Sequence, residues 1–173
     1  FEKRVSKLYS KFNPVWVQKA RQLLLHLLAN ESDEACYHIN ELLHEFIYLR
    51  NTGHEFFYHG FIYGVLALVA HSEKISLESE AEGGNGYADV TLYQPNTKTA
   101  VILEFKACKN TGAARVTASL KAARQILERK YIQKFKNRNC RKIYGFGLGC
   151  GGKACEITAL GDLLASRDGC IAP

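Results

Sequence analysis

The sequence predicts an α/β fold in which helices flank a mixed β-sheet, with extra helices at the N-terminal end. The first observation is the order of apolar patterns, which indicates three helices, a strand, a hairpin, a helix and two more strands. The second is the length, because a domain of 173 residues can bury most of the unfolded chain's surface without disulfide bonds. The third is a composition that is 47% hydrophobic and 23% charged, which excludes disordered and repetitive chains.

Helical periodicity marks three segments before the first strand. Residues 14–29 form the first helix and residues 33–50 the second, since the apolar residues of each recur on one side. The third helix, at about residues 54–71, is apolar around most of its circumference, which indicates a central position. Glu55 and His59 stand four residues apart near its start and therefore share a face. For His59 alone, a hydrogen-bonded core histidine is the simpler interpretation.

The strands of the sheet follow these helices. Short apolar runs bounded by turn residues predict the strands, and helical periodicity returns once between them. The expected elements are a strand at residues 74–82, a hairpin with its turn at residues 94–97, a helix at about residues 113–136, and strands at residues 141–149 and 153–160. This order is that of an α/β protein with a mixed sheet.

The hairpin carries three charges inside strands that should be buried. Strand alternation puts Asp89 on one face of the first strand, with Ala88 and Val90 on the other. In the second strand, Glu104 and Lys106 share a face. A buried sheet would not tolerate these charges unless they served a common purpose.

The register of the hairpin decides whether the two carboxylates meet. A turn centred between Pro95 and Asn96 pairs Asp89 with Ile102 and leaves it diagonal to Glu104, within reach of a shared ion. A register that differs by one residue would send the two carboxylates to opposite faces. The structure can therefore refute this arrangement.

Two neighbouring carboxylates repel each other unless a positive charge lies between them. Oxygen ligands from Asp89 and Glu104, with the backbone carbonyl of Phe105, suit Mg²⁺ or Mn²⁺. Such an ion can generate hydroxide and stabilise charge on phosphorus, and Lys106 is placed to orient the attacking water or neutralise the developing charge. The alternative is an ordinary ion pair between Glu104 and Lys106 at a strand end, with Asp89 merely near a turn.

The formal net charge is +6, and much of it lies between residues 115 and 142, where Glu128 is the one acid. An excess this one-sided suits a polyanionic partner such as nucleic acid, although a solvated helix face has the same composition. The candidate nucleic-acid contacts are Lys121, Arg124 and Lys130.

The six cysteines are expected to be reduced thiols, because the chain is not small and no signal peptide is visible. The longest apolar run, residues 56–70, is interrupted by His59 and is shorter than the roughly 20 residues that span a bilayer. The first residue is Phe and Met is absent, so we expect a piece of a longer protein. We expect it in the cytoplasm, or in a host cytosol if it belongs to an effector.

Asp89, followed fifteen positions later by Glu104-Phe105-Lys106, resembles the motif of the PD-(D/E)xK nuclease superfamily. The segments HEFFYHGFIYGVLALV, EAEGGNGYADVTLY, AVILEFK and AARQILERKY are similar in sequence and order to the PD-(D/E)xK domains at the C-terminus of bacterial AAA-ATPase-like proteins. The likeness runs from about Val15 to Ala159. The resemblance implies a restriction-endonuclease-like fold.

The resemblance also implies roles for individual residues. Asp89 and Glu104 would be metal ligands, Lys106 the catalytic lysine, and Gln125 the helical glutamine that supports the catalytic site. Glu55 would be the first-helix acid and a further metal ligand, although an acid at a helix start is also favoured by the helix dipole. The residues that would line the site are His59, Glu82 and Tyr131.

Two positions depart from the pattern, and one role has no support from periodicity. Ala88 stands where the superfamily's name has proline, and Tyr87 replaces an arginine that many of the similar domains have before the aspartate. Periodicity alone would put Gln125 on the flank or surface of its helix, so its role rests on the resemblance.

These observations predict a metal-dependent nuclease domain that hydrolyses phosphodiester bonds, in DNA rather than RNA. No helix-turn-helix or zinc finger is visible, so we expect no sequence-reading module here. The alternative is a weak or inactive nuclease-like module that binds nucleic acid or a protein partner within a larger toxin, effector or ATPase-linked protein. We expect a helical extension at residues 1–50, a nuclease-like core at residues 51–173, and contacts with other domains of the parent protein.

Overall fold

The structure is a computed structural model that describes residues 14–46, 54–83, 86–136 and 138–163. Its elements are α1 (Pro14–Ala29), α2 (Ser32–Phe46), α3 (Glu55–Ala70), β1 (Ser76–Gly83), β2 (Gly86–Gln94), β3 (Thr99–Ala107), α4 (Gly112–Glu128), α5 (Gln133–Lys136), β4 (Lys142–Gly151) and β5 (Ala154–Asp162). In this part of the chain, five strands form one sheet in the order β1-β2-β3-β4-β5. Strands β3 and β4 are parallel, and the other neighbours are antiparallel. The predicted mixed α/β fold, restriction-endonuclease-like with extra N-terminal helices, is confirmed.

The two leading helices bury residues three and four positions apart, which is the signature of a helix packed on one side. These residues are Ala20, Leu23, Leu24 and Leu27 in α1 and Ala35, Ile39, Leu42 and Leu43 in α2. They share one apolar cluster with α3 and with the sheet. The predicted end of α2 at residue 50 lies outside the described residues, and the division at residue 50 into extension and core stays a prediction.

The sheet separates two apolar clusters. On one face, α1, α2 and α3 pack against residues such as Val90 and Phe105. On the other face, α4 and α5 contribute Ile126 and Phe135, which pack with Ile102. Strand β3 is therefore covered on both sides, and charges on it lie deep in the molecule.

The helix expected at residues 113–136 is two helices, so its predicted length is wrong. Helix α4 ends at Glu128, and Lys130 adopts a left-handed conformation with φ of 55°. The chain reverses there, and the short helix α5 follows. This reversal buries Tyr131 and Phe135, which are 2% and 1% exposed, against the sheet.

The predicted pairing of Asp89 with Ile102 is wrong by two residues. In the structure, Thr91 pairs with Ile102, and Gln94 with Thr99, so the turn is centred one residue later than expected. Because side chains alternate with a period of two, a shift of two residues does not by itself move a side chain to the other face. Continued by one residue beyond the last pair, Val90 with Leu103, this register brings Asp89 level with Glu104 instead of diagonal to it.

Two glycines in β4 allow α4 to lie directly on the sheet. A Cβ atom at Gly147 would fall 2.2 Å from the backbone nitrogen of Ala123, and one at Gly149 would fall 2.0 Å from the carbonyl oxygen of Arg115. Any other residue would push the helix away. Helix α4 is thus held close enough to the sheet for its side chains to reach β3.

The last hairpin brings two thiols together. Cys150 and Cys155 face each other across β4 and β5, with their sulfur atoms 3.1 Å apart. Asn40 of α2 binds the outer edge of β5, since its side chain accepts from the backbone nitrogen of Cys155 and donates to its carbonyl. No helix among the described residues is long and apolar enough to cross a membrane.

Candidate active site

Asp89 lies where β2 separates from β3. The ladder between the two strands ends at Val90 and Leu103, and beyond it the backbone N–H of Phe105 donates to Asp89 Oδ2 at 2.8 Å. Ala88 packs with the cluster under α4 whereas Val90 packs with the opposite cluster, so the prediction that they share a face is wrong. The irregularity is local: Glu80 of β1, which the pairing with β2 skips, lies opposite Asp89 and has a left-handed φ of 49°.

Glu104 is the buried charged residue at the centre of the predicted site. It is 1% exposed, near the end of β3. Gln125 Nε2 donates to its Oε1 atom. Its Oε2 atom is buried and has no hydrogen-bond partner. A buried carboxylate oxygen without a hydrogen-bond donor destabilises the folded protein. Its presence indicates that the site is built to receive a partner for this oxygen.

Lys106 reaches back along β3 towards the same carboxylate. Its Nζ atom lies 2.8 Å from Glu55 Oε1, 2.8 Å from the carbonyl oxygen of Phe105 and 3.4 Å from Glu104 Oε1. Its side chain is 15% exposed. The ammonium group therefore lies between the oxygens of α3 and those of β3.

The start of α3 forms one wall of the site. Glu55, in the first turn of the helix, contributes its carboxylate to Lys106. One turn later, His59 is 8% exposed, its Nε2 atom lies 2.9 Å from Ser79 Oγ, and its ring centroid lies 6.1 Å from that of Phe105. His59 thus has the hydrogen bond of a satisfied core histidine while it borders the site.

Helix α4 and the turn after it form the opposite wall. Gln125 Nε2 donates to Glu104 and also to Tyr131 Oη, which lies 3.2 Å away. Helical periodicity did not place Gln125 here. The glycines of β4 provide the missing signal, because they permit a helix so close to the sheet that a flanking side chain reaches β3.

A family model described as PD-(D/E)XK nuclease superfamily matches residues 53–159. The match covers more than half of the chain and includes both walls of the site and the charged hairpin. The chain belongs to the PD-(D/E)XK nuclease superfamily. A comparison with individual curated proteins found no match.

Membership in the PD-(D/E)XK superfamily gives the carboxylates of the hairpin a chemical context, and their electrostatics fit it. Burial and, to a lesser extent, the charge of Asp89 raise the pKa of Glu104 to about 7, against the opposing effect of Lys106. Burial also raises the pKa of Asp89, although the Phe105 N–H and the charge of Lys106 oppose the shift. Lys106 compensates the two carboxylates only in part, since both pKa values stay raised, and a divalent cation between them would lower both.

The same carboxylates shift the pKa values of Lys106 and Tyr131. Burial acts to lower the pKa of Lys106, but the hydrogen bond to Glu55 and the charge of Glu104 outweigh it, so the pKa is raised. Burial raises the pKa of Tyr131, and the charges of Glu104 and Asp89 add to this shift. Lys106 is therefore a firmly protonated cation, and Tyr131 is a neutral hydroxyl beside Gln125.

The donor set fits the divalent metals that PD-(D/E)XK nucleases generally use. Asp89, Glu104 and the Phe105 carbonyl supply oxygen atoms, which Mg²⁺ and Mn²⁺ prefer, and Glu104 Oε2 lacks a partner. Within the described ranges, no three side chains of the His, Cys, Asp and Glu types form a metal-binding group by themselves. Glu55, the predicted third carboxylate, instead contacts Lys106.

The remaining residues singled out in the sequence are exposed or have side chains that the structure does not describe. Tyr87, before Asp89, is exposed. Glu82 belongs to β1, but its side chain lies outside the described part of the structure. The three basic residues predicted to contact nucleic acid are exposed, on α4 and in the turn after it: Lys121, Arg124 and Lys130.

Proposed function

We propose that this domain is a metal-dependent nuclease that hydrolyses phosphodiester bonds of DNA. The observation that carries the proposal is the buried Glu104, whose Oε2 atom has no donor and whose neighbour across the hairpin is Asp89. In a PD-(D/E)XK nuclease domain, such a pair is the place for a divalent cation.

Asp89, Glu104 and the Phe105 carbonyl would hold Mg²⁺ or Mn²⁺, with Glu55 as a further ligand. When bound, the ion would supply a water of lowered pKa and would stabilise negative charge on the phosphorus. Gln125 fixes the orientation of Glu104 by its hydrogen bond to Oε1. Tyr131 in turn fixes Gln125 by accepting from the same nitrogen.

Lys106 would act on the substrate. Its ammonium is the cation of the site, and it carries the flexible stem that a lysine needs to reach a phosphate oxygen or an attacking water. His59, which borders the ring of Phe105, would line the cleft on the α3 side. These residues would position the phosphate and neutralise the charge that develops on it.

The exposed basic residues support a nucleic-acid substrate. Lys121, Arg124 and Lys130 would contact phosphates without reading bases, because phosphate contacts carry no sequence information directly. The preference for DNA over RNA rests on the resemblance noted above. We propose that the domain works in the cytoplasm, or in a host cytosol as part of an effector, and that it belongs to a longer, ATPase-linked protein.

A cleavage assay tests the proposal. The purified chain is incubated with supercoiled plasmid or with RNA of similar length, in Mg²⁺, in Mn²⁺ and in chelator. We expect the plasmid to be nicked or degraded only when metal is present. The cleavage rate should fall about 100-fold or more in each of three variants: Asp89→Asn, Glu104→Gln and Lys106→Met. Lys74→Met is the matched control, since Lys74 is exposed in the turn before β1. Equal activity in all of these proteins, or cleavage in chelator, would refute the proposal.

The alternative is a nuclease-like module that binds without cleaving. The observation that favours it is the position of Lys106, which already places a positive charge between Glu55 and Glu104. Calorimetric titration separates the two: a domain that binds DNA but gives no heat with millimolar Mn²⁺ is a binding module.

A further inference from the structure

Lys106 Nζ lies at the point where the predicted metal ligands converge. Four ligands were expected from the sequence, and this nitrogen contacts three of them: Glu104 Oε1, the Phe105 carbonyl and Glu55 Oε1, at 3.4, 2.8 and 2.8 Å. The fourth, Asp89, lies beside them and is bound by the Phe105 N–H. An ammonium group has the same preference for oxygen as a divalent metal.

We propose that Lys106 is the internal counter-ion of the metal-free site, and that a divalent cation must displace its ammonium group from Glu104 and Phe105 in order to bind. The proposal rests on the proposed function, because it assumes that these oxygens bind the metal. It goes beyond that function by making metal binding and the position of Lys106 mutually dependent.

Electrostatic repulsion favours the displacement. A metal bound to Glu104 Oε2 and to the Phe105 carbonyl would share the carbonyl oxygen with Lys106 Nζ. It would also lie on the same carboxylate that Lys106 contacts through Oε1, within a few ångströms of the ammonium. Two cations at such a separation repel each other, and the repulsion is stronger in a partly buried site than in water. Binding of the metal therefore drives the ammonium group away from these oxygens.

The Lys106 side chain has room to move away from these oxygens. Its stem has four rotatable bonds. Its side chain keeps 15% exposure, and Glu55, the partner at 2.8 Å, is 40% exposed at the start of α3. Lys106 can therefore swing towards solvent with or without Glu55. Once released, its ammonium is available for a phosphate, so the lysine is freed only in a site that has received its metal.

The first test measures metal affinity in the absence of nucleic acid. Mn²⁺ is titrated calorimetrically into the full chain and into Lys106→Met, which removes the ammonium but keeps a stem of similar size. We expect Lys106→Met to bind Mn²⁺ at least fivefold more tightly than the unaltered chain, although it is inactive as a nuclease. Lys74→Met removes the same charge from an exposed turn before β1 and should change the affinity less than twofold.

The second test needs no substitution at the site. Amine acetylation of the unaltered chain, read at Lys106 by mass spectrometry, should increase at least threefold when Mg²⁺ saturates the site, because the ammonium leaves its carboxylates. The acetylation of Lys74 should not change. An unchanged rate at Lys106 in protein that demonstrably binds Mg²⁺ would overturn the proposal.

The outcomes separate this proposal from the proposed function. If Lys106→Met binds Mn²⁺ no more tightly than the unaltered chain, and the unaltered chain cleaves DNA, the displacement is overturned and the nuclease proposal stands. If Lys106→Met binds Mn²⁺ more tightly, but the unaltered chain cleaves no nucleic acid, the displacement is supported and the nuclease proposal is refuted. Absence of Mn²⁺ binding in both proteins would overturn both.

Discussion

Replacing Glu104 by glutamine should make the metal-free protein more stable above neutral pH, although it removes a residue of the catalytic site. The folded protein holds the Glu104 proton up to a pKa of about 7, whereas the unfolded chain releases it near 4.5. Folding at higher pH therefore places an unfavourable charge in the core. Glutamine has nearly the same shape and carries no charge at any pH.

The size of the effect follows from the pKa shift. A rise from 4.5 to about 7, at 1.36 kcal/mol for each unit, makes ionised Glu104 unfavourable by about 3 kcal/mol. Because the pKa is raised on folding, this residue contributes full stability below pH 4.5, and the contribution is lost as the pH rises through 7. The advantage of Glu104→Gln should therefore grow from near zero at pH 4 to about 3 kcal/mol at pH 8, or about 6 to 12 °C in Tm.

Urea unfolding in chelator, followed at several values of pH between 4 and 8, measures this difference. Effects of pH on groups that do not interact with Glu104 are common to both proteins and cancel when the free energies of unfolding are subtracted. Glu128→Gln is the matched control, because it neutralises an exposed carboxylate at the end of α4 and should give a difference near zero throughout. A Glu104→Gln variant that is less stable at pH 8, or whose advantage does not change with pH, would refute the reasoning.

Two further predictions concern the packing of α4 and the basic surface. Gly147→Ala should cost about 3 kcal/mol or more in the free energy of unfolding, because its Cβ would lie 2.2 Å from the Ala123 backbone. Gly64→Ala, in a helix and with nothing within 4 Å of its Cβ, should instead gain about 0.5 to 1 kcal/mol, and equal effects would contradict this packing. DNA binding is measured in the Asp89→Asn background at several salt concentrations. The slope of log K against log salt concentration should become shallower by about 0.9 for each basic residue removed. An unchanged slope would exclude the removed residues as phosphate contacts. The cations are Lys121, Arg124 and Lys130.

Local patterns predicted much of this fold, because helices and strands differ in the period of their apolar residues. The charged hairpin could be recognised from spacing alone. Even the wrong register did not separate Asp89 from Glu104, since the error was two residues and the period of a strand is also two. The superfamily prediction was confirmed by the match over residues 53–159.

The features that could not be predicted depend on contacts distant in sequence or on single backbone angles. Gln125 reaches Glu104 because Gly147, more than twenty residues later, lets α4 lie on the sheet. The left-handed Lys130 ends the helix, although lysine is an ordinary helix former. The separation of β2 from β3 at Asp89 has no signature in the alternation of the strand. Each of these features helps to build the site.

The position of a bound metal tests the central claim most directly. A crystal of the chain grown with Mn²⁺ should show an anomalous difference peak between the carboxylates of Asp89 and Glu104, within about 2.0 to 2.4 Å of Glu104 Oε2 and the Phe105 carbonyl. In the same crystal, Lys106 Nζ should have left Glu104 Oε1 and the Phe105 carbonyl. The account would be contradicted if the crystal, at a saturating Mn²⁺ concentration, showed no anomalous peak at this position and Lys106 were still in contact with Glu104.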